Sequence, residues 1–414
     1  MKNFLKHYGL LTSMLLAILS GCLVGAFWPN ATIFKPLGTV FINLMFCLVV
    51  PMVFASIAGS VANMGSPKRA GKIMAVTIGS FLLTATAAGL IMFLLVLIFP
   101  PVPTAWGVIP ETGIGEYATL AELIVNFFTA EDFVSLLSRR AMLPLIVFSL
   151  LFGFAVNLTG GSKTLMGKWL RDLSAVMLKF VKIITYYAPI AFFGFFADLV
   201  ATYGPQITAD YGRALLLYYP LCLVYVLAAF PLLALLGGGK SGPKQLFRHI
   251  LRPAMVSLGT CSSVATIPTN MDASEKAGIS KDVYDIVLPL GATMHMDGSC
   301  FSAVLKIAFM YGVLGLPFGP EMLLPVVGLA VLSSVSMSGI PGGGYIGEYV
   351  ICSVFFPQQM AMAFPILVTI GNLTDPPATM VNATGDYAVS FLVERFVSGK
   401  NWLQKHLFQG KDSA

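Results

Sequence analysis

Three aspartates, Asp297, Asp375 and Asp386, lie inside long apolar segments of the last third of the chain. In a membrane interior each would cost roughly 2.5–3.5 kcal/mol on insertion scales, so their burial requires compensating positive charge. The nearby basic residues are His295 and Lys306. We expect Lys306 to snorkel toward the membrane surface rather than to act as a counter-charge. A bound cation and the amino group of a small ligand are then the expected neutralising groups.

Four polar residues near the C-terminus recur at helical spacing: Asp375, Thr379, Asn382 and Asp386. They fall within an arc of about 60° on an α-helix, where their oxygens suit a hard cation and a zwitterion. A polar seam between helices is the alternative, although Ser, Thr and Asn would form one without buried charge. Because Pro376 and Pro377 favour the first turn of a helix, we expect Asp375 to be an N-cap at the start of a second half-span.

The segment Met294–Ser299 interrupts another apolar span, and its Asp297-Gly298 pair favours local unwinding. Unwinding frees carbonyl oxygens, the groups with which discontinuous transporter helices bind Na⁺. His295 is alternatively a proton relay or a metal ligand. A single His without a second His or a Cys nearby disfavours a metal site, and the relay stays open.

Two further stretches, 241–275 and 322–358, are apolar but have small-residue, Pro-containing centres at 259–268 and 336–344. Such centres do not continue a helix, so each stretch is predicted to be a re-entrant hairpin whose tip lines a site. The alternative is an ordinary helix kinked at Gly and Pro. Paired interrupted segments in two halves of opposite orientation are typical of an inverted-repeat secondary transporter.

The composition excludes a water-soluble protein. Of the 414 residues, 57% are hydrophobic and 11% are charged, against roughly 45–50% and about 25% in soluble domains. We predict an all-α polytopic membrane protein with eight transmembrane helices plus the two re-entrant hairpins. The eight spans are predicted at 9–28, 37–62, 73–99, 119–157, 174–200, 211–237, 283–311 and 361–396. Leu19–Cys22 matches a lipoprotein cleavage site, but the apolar run continues to Trp28, which favours a retained first span.

Most of the 25 Lys and Arg residues lie on one side of these spans. This asymmetry predicts cytoplasmic N- and C-termini and accounts for the net charge of +6 without nucleic acid. The six cysteines lack metal-type spacing and are predicted to be reduced packing residues. Gly239-Lys240-Ser241 lacks the first glycine of a phosphate-binding loop, so no nucleotide or other organic cofactor is expected. A membrane enzyme would need a nucleophile paired with a base, and apart from His295 and Ser299 the sequence offers no such pair.

Several motifs resemble the dicarboxylate/amino acid:cation symporter family, which includes the glutamate transporters and neutral amino acid exchangers. Cys261–Pro268 is similar to the family's serine-rich first hairpin tip, and Gly339–Gly342 to its second hairpin. Met296–Ser299 is similar to its Asn-Met-Asp-Gly-Thr motif, and Thr379–Asp386 to its last-span motif. The resemblance is greatest to the branch that takes up serine and threonine with sodium. It implies Na⁺ as the co-transported ion, a homotrimer, and a bacterial inner membrane location among lipid.

The resemblance also implies a binding role for particular residues. Asp375 would hold the substrate amino group, and Asn382, Ser263 and the backbone of the hairpin tips would hold the α-carboxylate. The implied substrate-binding set is Ser262, Ser263, Ser299, Ile340, Gly344, Asp375, Ala378, Thr379 and Asn382.

Three Na⁺ sites are implied in the same way. The first consists of the Asp386 carboxylate with carbonyls of Gly291, His295 and Asn382, and the second of carbonyls of Thr293, Ser334, Val335 and Met337. A third, at Asp297 and Thr84, is in doubt. Family members offer Tyr, Ser and Asn where this chain has Phe81, Ala85 and His295.

Ala378 is the most informative departure from the family pattern. Acidic amino acid transporters of the family have an Arg there to pair the substrate's side-chain carboxylate, and Ala cannot replace it. We therefore expect a small neutral amino acid, serine or threonine, with Ser299 and Thr379 contacting its side chain. The nearest alternative is a sodium- or proton-coupled importer of carboxylates or acidic amino acids. An ion channel is a further alternative, which saturable uptake would exclude.

Alternating access divides the chain into two parts by resemblance. The expected scaffold comprises spans 1 and 2 (1–72) and spans 4 and 5 (101–205). The expected transport core comprises span 3 (73–100), span 6 (206–240) and the segment 241–399, which contains hairpin 1, span 7, hairpin 2 and span 8. A cytoplasmic tail at 400–414 follows. The second hairpin is expected to be the outer gate.

Overall fold

The computed structural model describes residues 2–62, 68–106, 129–138, 141–203, 206–336 and 345–404. The described residues form α-helices joined by short turns and 3₁₀ segments, without strands. The first eight helices are α1 (Lys2–Phe27), α2 (Lys35–Ala62), α3 (Lys68–Ile98), α4 (Phe133–Leu136), α5 (Met142–Leu158), α6 (Leu165–Thr185), α7 (Ala188–Tyr203) and α8 (Gln206–Gly238). The next eight are α9 (Gly242–His249), α10 (Leu251–Thr260), α11 (Ser263–Lys276), α12 (Lys281–Met294), α13 (Asp297–Val313), α14 (Leu323–Ser336), α15 (Tyr345–Phe355) and α16 (Met360–Ser398).

Two described stretches have both the length and the apolar composition of a membrane-spanning helix. Among the described residues, Lys72–Ile98 and Thr208–His249 are long and apolar enough to cross a bilayer, and shorter apolar helices accompany them. Large apolar side chains also point outward from the helix bundle, for example Leu151, Leu158 and Ile183. Exposed apolar surface of this kind fits lipid or another subunit rather than water.

The helices pack into two groups. In the first, α1 packs along α7, and α2 packs against α5, α6 and α7. In the second, the long helix α16 is central and contacts α3, α8 and each of the helices from α10 to α13. Between the two groups, α2 touches α15, where the Phe41 and Tyr345 rings meet edge to face at 6.0 Å.

Both predicted hairpin stretches contain paired helices. In the first, α10 and α11 pack against each other and are separated by Cys261 and Ser262. Cys261 adopts a left-handed conformation with φ of 49°, and the Ser262 hydroxyl accepts a hydrogen bond from the Ala265 amide at 3.1 Å to begin α11. In the second, α14 packs on α15, and the predicted tip at 337–344 lies outside the described residues.

Two helix boundaries differ from the predictions. The span predicted at 174–200 is divided between α6 and α7 at Tyr186 and Tyr187, just before Pro189. The proposed helix start at Asp375 is wrong, because α16 runs without a break through Pro376 and Pro377.

A hydroxyl from a neighbouring helix compensates for one of the two prolines inside α16. Proline at position 377 has no amide hydrogen to donate to the Leu373 carbonyl one turn earlier. The Tyr219 hydroxyl of α8 donates to that carbonyl instead, at 2.8 Å. The helix therefore keeps its geometry, which places Asp375 within it rather than at its end.

Replacing Tyr219 with Phe should lower the stability of the folded protein. The substitution leaves the Leu373 carbonyl without its donor, and a hydrogen bond of this kind contributes about 1 kcal/mol. The expected result is a reduced midpoint in a thermal-unfolding assay of the detergent-purified protein, with Tyr186→Phe, at an exposed side chain, as the matched control. Equal midpoints for the two variants would contradict this role.

Candidate functional site

The polar centre of the molecule is built where the chain unwinds between α12 and α13. Helix α12 ends at Met294 and α13 begins at Asp297, so His295 and Met296 form the break that the sequence predicted. The Asn382 side chain of α16 caps the new helix, since its Oδ1 accepts hydrogen bonds from the Gly298 amide at 2.8 Å and the Ser299 amide at 3.3 Å. Tyr218 fixes the same turn by donating to the Gly298 carbonyl at 2.7 Å.

The His295 imidazole lies between two buried carboxylates. Its Nδ1 is 2.9 Å from Asp386 Oδ1, and its Nε2 is 3.3 Å from Asp297 Oδ1 and 2.9 Å from the Thr84 hydroxyl. The ring stacks on Phe81 with centroids 4.4 Å apart. When both ring nitrogens carry protons, the imidazolium supplies one positive charge between two negative ones.

The contacts of the two Asp297 carboxylate oxygens concern the third implied sodium site. Tyr225 donates to Asp297 Oδ2 at 2.8 Å, while Asp297 Oδ1 has no hydrogen-bond partner of acceptable geometry among the described residues. The side chains of Phe81, Thr84 and His295 fill the space beside it. The aromatic rings of Phe81 and His295 therefore stand where the resemblance implied oxygen ligands.

Two residues of the first implied sodium site, Gly291 and Asp386, lie against each other. A Cβ added to Gly291 would collide with the Asp386 carboxylate, so this glycine lets the carboxylate approach the α12 backbone. The Gly291 carbonyl accepts from the His295 amide at 2.9 Å. The prediction assigned His295 a carbonyl role, whereas its side chain is the part that contacts Asp386.

The residues implied for the second sodium site lie at the ends of two helices. Thr293 is in the last turn of α12, where its hydroxyl donates to the Leu290 carbonyl at 2.9 Å. Ser334 and Val335 are in the last turn of α14, and the buried Ser334 hydroxyl donates to the Val331 carbonyl at 2.7 Å. Met337 lies outside the described residues.

A cavity of about 390 Å³ opens beside the polar centre. Three of the predicted substrate residues line it, namely Ser299, Asp375 and Ala378. Its other lining residues are Ser302, Lys306, Tyr345, Glu348, Val368, Gly371, Asn372 and Thr374. The cavity therefore lies where α13, α15 and α16 meet.

Asp375 is the acidic group of this cavity that lacks a protein cation. The Thr379 hydroxyl donates to Asp375 Oδ1 at 3.1 Å, and no Lys, Arg or His among the described residues forms an ion pair with it. A ligand would therefore have to supply the positive charge that neutralises the Asp375 carboxylate.

Other predicted substrate residues have structural partners. The Asn382 Nδ2 group donates to Ser299 Oγ at 3.0 Å, so both ends of this amide are engaged by α13. Ser262 and Ser263 are buried at the start of α11, and α11 is tied to α16 by Asn270, which donates to the Ala383 carbonyl at 2.7 Å. Ile340 and Gly344 lie outside the described residues.

Sequence reasoning missed the buried ion pair of the cavity. Lys306 was expected to snorkel, but it is 2% exposed and pairs with Glu348 of α15, which is equally buried. The prediction for Lys306 is therefore wrong. Tyr225, Asn372 and Thr374 were also missed, since polar residues facing a cavity look the same in a sequence as those facing another helix.

Comparison with known proteins decides the family. A model of the sodium:dicarboxylate symporter family matches residues 10–396. The chain belongs to this family. It is thus a member of a family of membrane transporters, as its motifs indicated.

Three relatives are named C4-dicarboxylate transport protein. That of Rhizobium leguminosarum bv. trifolii is 29% identical over 95% of this chain and 90% of its own length. That of Brucella anthropi is 28% identical over 95% and 89%, and that of Caulobacter vibrioides is 26% identical over 92% and 94%. These names favour the carboxylate alternative over the expected serine or threonine substrate.

Proposed function

We propose that the protein is a Na⁺-coupled symporter that imports a small dicarboxylate bearing an amino group, that is, an acidic amino acid. The family match and the relatives' names support a carboxylate substrate. Asp375 carries the rest of the proposal, because it faces the cavity without a described cationic partner. An ammonium group would neutralise it, whereas a dicarboxylate without one would be repelled.

The coupling ion follows from the second acidic centre. Asp386 is 1% exposed and its carboxylate lies against Gly291. We propose that this carboxylate and backbone carbonyls at the α12–α13 break bind Na⁺, as in other discontinuous transporter helices. Because Asn382 caps α13 from the same helix that carries Asp375 and Asp386, occupancy of one centre positions the other. Na⁺ is here a transported substrate rather than a resident cofactor.

Charge balance sets the number of ions that uptake requires. One Na⁺ entering with a monoanion is electroneutral, so a tenfold gradient gives only about tenfold accumulation. Two Na⁺ carry one net charge, and at 100 mV the potential and the two tenfold gradients together allow roughly 5,000-fold accumulation. We therefore propose at least two cations per acidic substrate.

The proposed cycle is alternating access in the inner membrane. The helix group around α16 would move as a transport core against the scaffold of α1, α2 and α5–α7, with the hairpin of α14 and α15 as outer gate. The contacts within each group and the few between them support this division. Cytoplasmic termini and a homotrimer are part of the same proposal.

Serine or threonine is a second candidate substrate, favoured by Ala378. This residue lines the cavity with a methyl group and gives a side-chain carboxylate no cation. A zwitterion would satisfy Asp375 equally well, and one Na⁺ would suffice to accumulate it about 500-fold.

Uptake by purified protein in proteoliposomes distinguishes these candidates. Under an inward Na⁺ gradient we expect saturable uptake of radiolabelled aspartate, inhibited weakly by serine and by succinate. Stronger inhibition by serine would favour the second candidate, and stronger inhibition by succinate would contradict the role of the amino group. Liposomes without protein provide the background.

Introducing the oxygen-bearing residues that family members have near Asp297 should allow the protein to bind and transport one more Na⁺ per substrate. The triple variant Phe81→Tyr, Ala85→Ser, His295→Asn replaces the His295 ring, which stacks on Phe81 and contacts Asp297, and introduces three oxygen-bearing side chains. We expect the dependence of uptake on Na⁺ concentration to become steeper, with a Hill coefficient higher by about one. The single Phe81→Tyr variant is the control, and an unchanged coefficient in the triple variant would show that these side chains do not exclude a third ion.

A further inference from the structure

The Lys306–Glu348 ion pair lies in the substrate cavity and not at a structural seam. Lys306 is on α13, the helix that also carries Asp297 and Ser299, while Glu348 is on α15, the second arm of the proposed gate hairpin. Both side chains line the cavity that contains Asp375 and are 2% exposed. The pair is thus one of the contacts between the hairpin and the transport core at the cavity.

A glycine holds this pair close to the last helix. A Cβ added to Gly371 of α16 would collide with Glu348 Oε1 and lie 3.3 Å from Lys306 Nζ. Gly371 is four residues before Asp375, a separation of about 6 Å along a helix. A small solute whose ammonium group contacts Asp375 would therefore have its other end near Lys306.

The two residues of the pair are not equally satisfied. Glu348 Oε1 binds Lys306, but Glu348 Oε2 is buried without a hydrogen-bond partner among the described residues. The other polar groups here are already paired, Ser302 with Thr374 at 2.9 Å and Tyr345 with Asn372 at 3.4 Å. A buried carboxylate oxygen without a partner makes this arrangement of Glu348 less stable, so a competing anion can more readily displace Glu348 from Lys306.

Among the described residues, Lys306 is also the one basic residue that lines the cavity. The hairpin tip at 337–344, which is outside the described residues, contains no Lys, Arg or His. Within the part of the chain that the structure describes, Lys306 is therefore the cation that a substrate carboxylate in this cavity would share with Glu348 or take from it.

We propose that Lys306 is the specificity-determining cation for the distal carboxylate of the substrate and that Glu348 is its internal competitor. In the empty site Glu348 neutralises Lys306. An acidic substrate binds Asp375 through its ammonium group and displaces Glu348 from Lys306 through its second carboxylate. The displaced Glu348 is on the gate hairpin, so the charge of the substrate side chain acts directly on the gate. This inference rests on the proposed acidic substrate and names the residue that selects it.

Two variants of the full-length protein in proteoliposomes test the pair. Glu348→Gln removes the competing negative charge, while the amide oxygen of Gln can still accept a hydrogen bond from the charged Lys306. Lys306→Met alone would leave a buried unpaired carboxylate and is expected to fold poorly, so the second variant is the neutral double substitution Lys306→Met, Glu348→Gln. The exposed ion pair of Lys281 and Asp285 gives the matched control, Lys281→Met, Asp285→Asn. The measured quantity is the preference for aspartate over serine, taken as the ratio of their inhibition constants against the labelled substrate.

We expect Glu348→Gln to raise the preference for aspartate about tenfold and the double variant to lower it at least tenfold, since a charged hydrogen bond is gained or lost. The control should keep the wild-type ratio. Ratios within twofold of the wild type in both test variants would overturn the proposal. If the wild type prefers serine, the proposed acidic substrate fails, but the pair still predicts that Glu348→Gln admits aspartate and that the double variant does not. Equal acceptance of aspartate by these two variants would contradict the inference, whichever substrate the wild type prefers.

Discussion

Replacing Asp375 with Asn is expected to reduce Na⁺-dependent uptake at least about 100-fold. The amide keeps the size of the side chain and can still accept the Thr379 hydrogen bond. It loses the charge that would pair with the substrate ammonium, and removing one partner of a buried charge pair costs about 2–5 kcal/mol. Initial rates in proteoliposomes, corrected for the amount of inserted protein, measure the effect.

Asp210→Asn is the matched control for this change. Asp210 is also buried, on α8, and accepts a hydrogen bond from the Trp106 indole at 2.8 Å, away from the cavity. We expect it to retain wild-type substrate affinity. If Asp375→Asn transported as well as the control, the substrate would need no amino group and a simple dicarboxylate would be the better assignment.

Replacing Asp386 with Asn is expected to raise the Na⁺ concentration for half-maximal uptake about 100-fold. The Asn oxygen can still contact His295, but the site then lacks the negative charge that offsets dehydration of the ion. Uptake measured against Na⁺ concentration at constant ionic strength, with choline as the replacement cation, reports the shift.

Glu394→Gln controls for loss of a buried carboxylate on the same helix. Glu394 is 2% exposed on α16 and accepts hydrogen bonds from the Ser280 amide and hydroxyl at 2.9 and 2.6 Å. Its loss should lower thermal stability and leave the Na⁺ dependence unchanged. A similar Na⁺ dependence in Asp386→Asn and Glu394→Gln would place the coupling ion elsewhere.

Local sequence signals predicted the features that depend on neighbouring residues. The break at His295 and Met296 followed from Asp297-Gly298, and the break at Cys261 and Ser262 followed from the small residues around it. The spacing of polar residues on the last span also held, because one continuous helix carries Asp375 and Asp386.

Features that depend on contacts between distant segments could not be predicted. Pro376 and Pro377 indicated a helix start, but Tyr219, more than 150 residues away in sequence, supplies the missing donor. Lys306 indicated snorkelling, and its burial depends on Glu348, which reads in sequence as an ordinary residue of an apolar hairpin.

The imidazole of His295 shows the same limit at the ion site. The resemblance implied a carbonyl ligand at this residue, and the sequence left a proton relay open; in the structure its ring contacts the carboxylate groups of Asp297 and Asp386. Only the packing of α3 brings Phe81 and Thr84 against that ring. The contacts of the His295 ring therefore depend on packing between distant helices, which the local sequence does not show.

The most direct test of the account is aspartate accumulation with Na⁺ and H⁺ gradients imposed separately across the same proteoliposomes. The account predicts accumulation under an inward Na⁺ gradient at equal pH, and none when choline replaces Na⁺ on both sides. Equal accumulation in choline under a proton gradient would contradict it, because the carboxylate of Asp386 would then be neutralised by a proton and not by Na⁺.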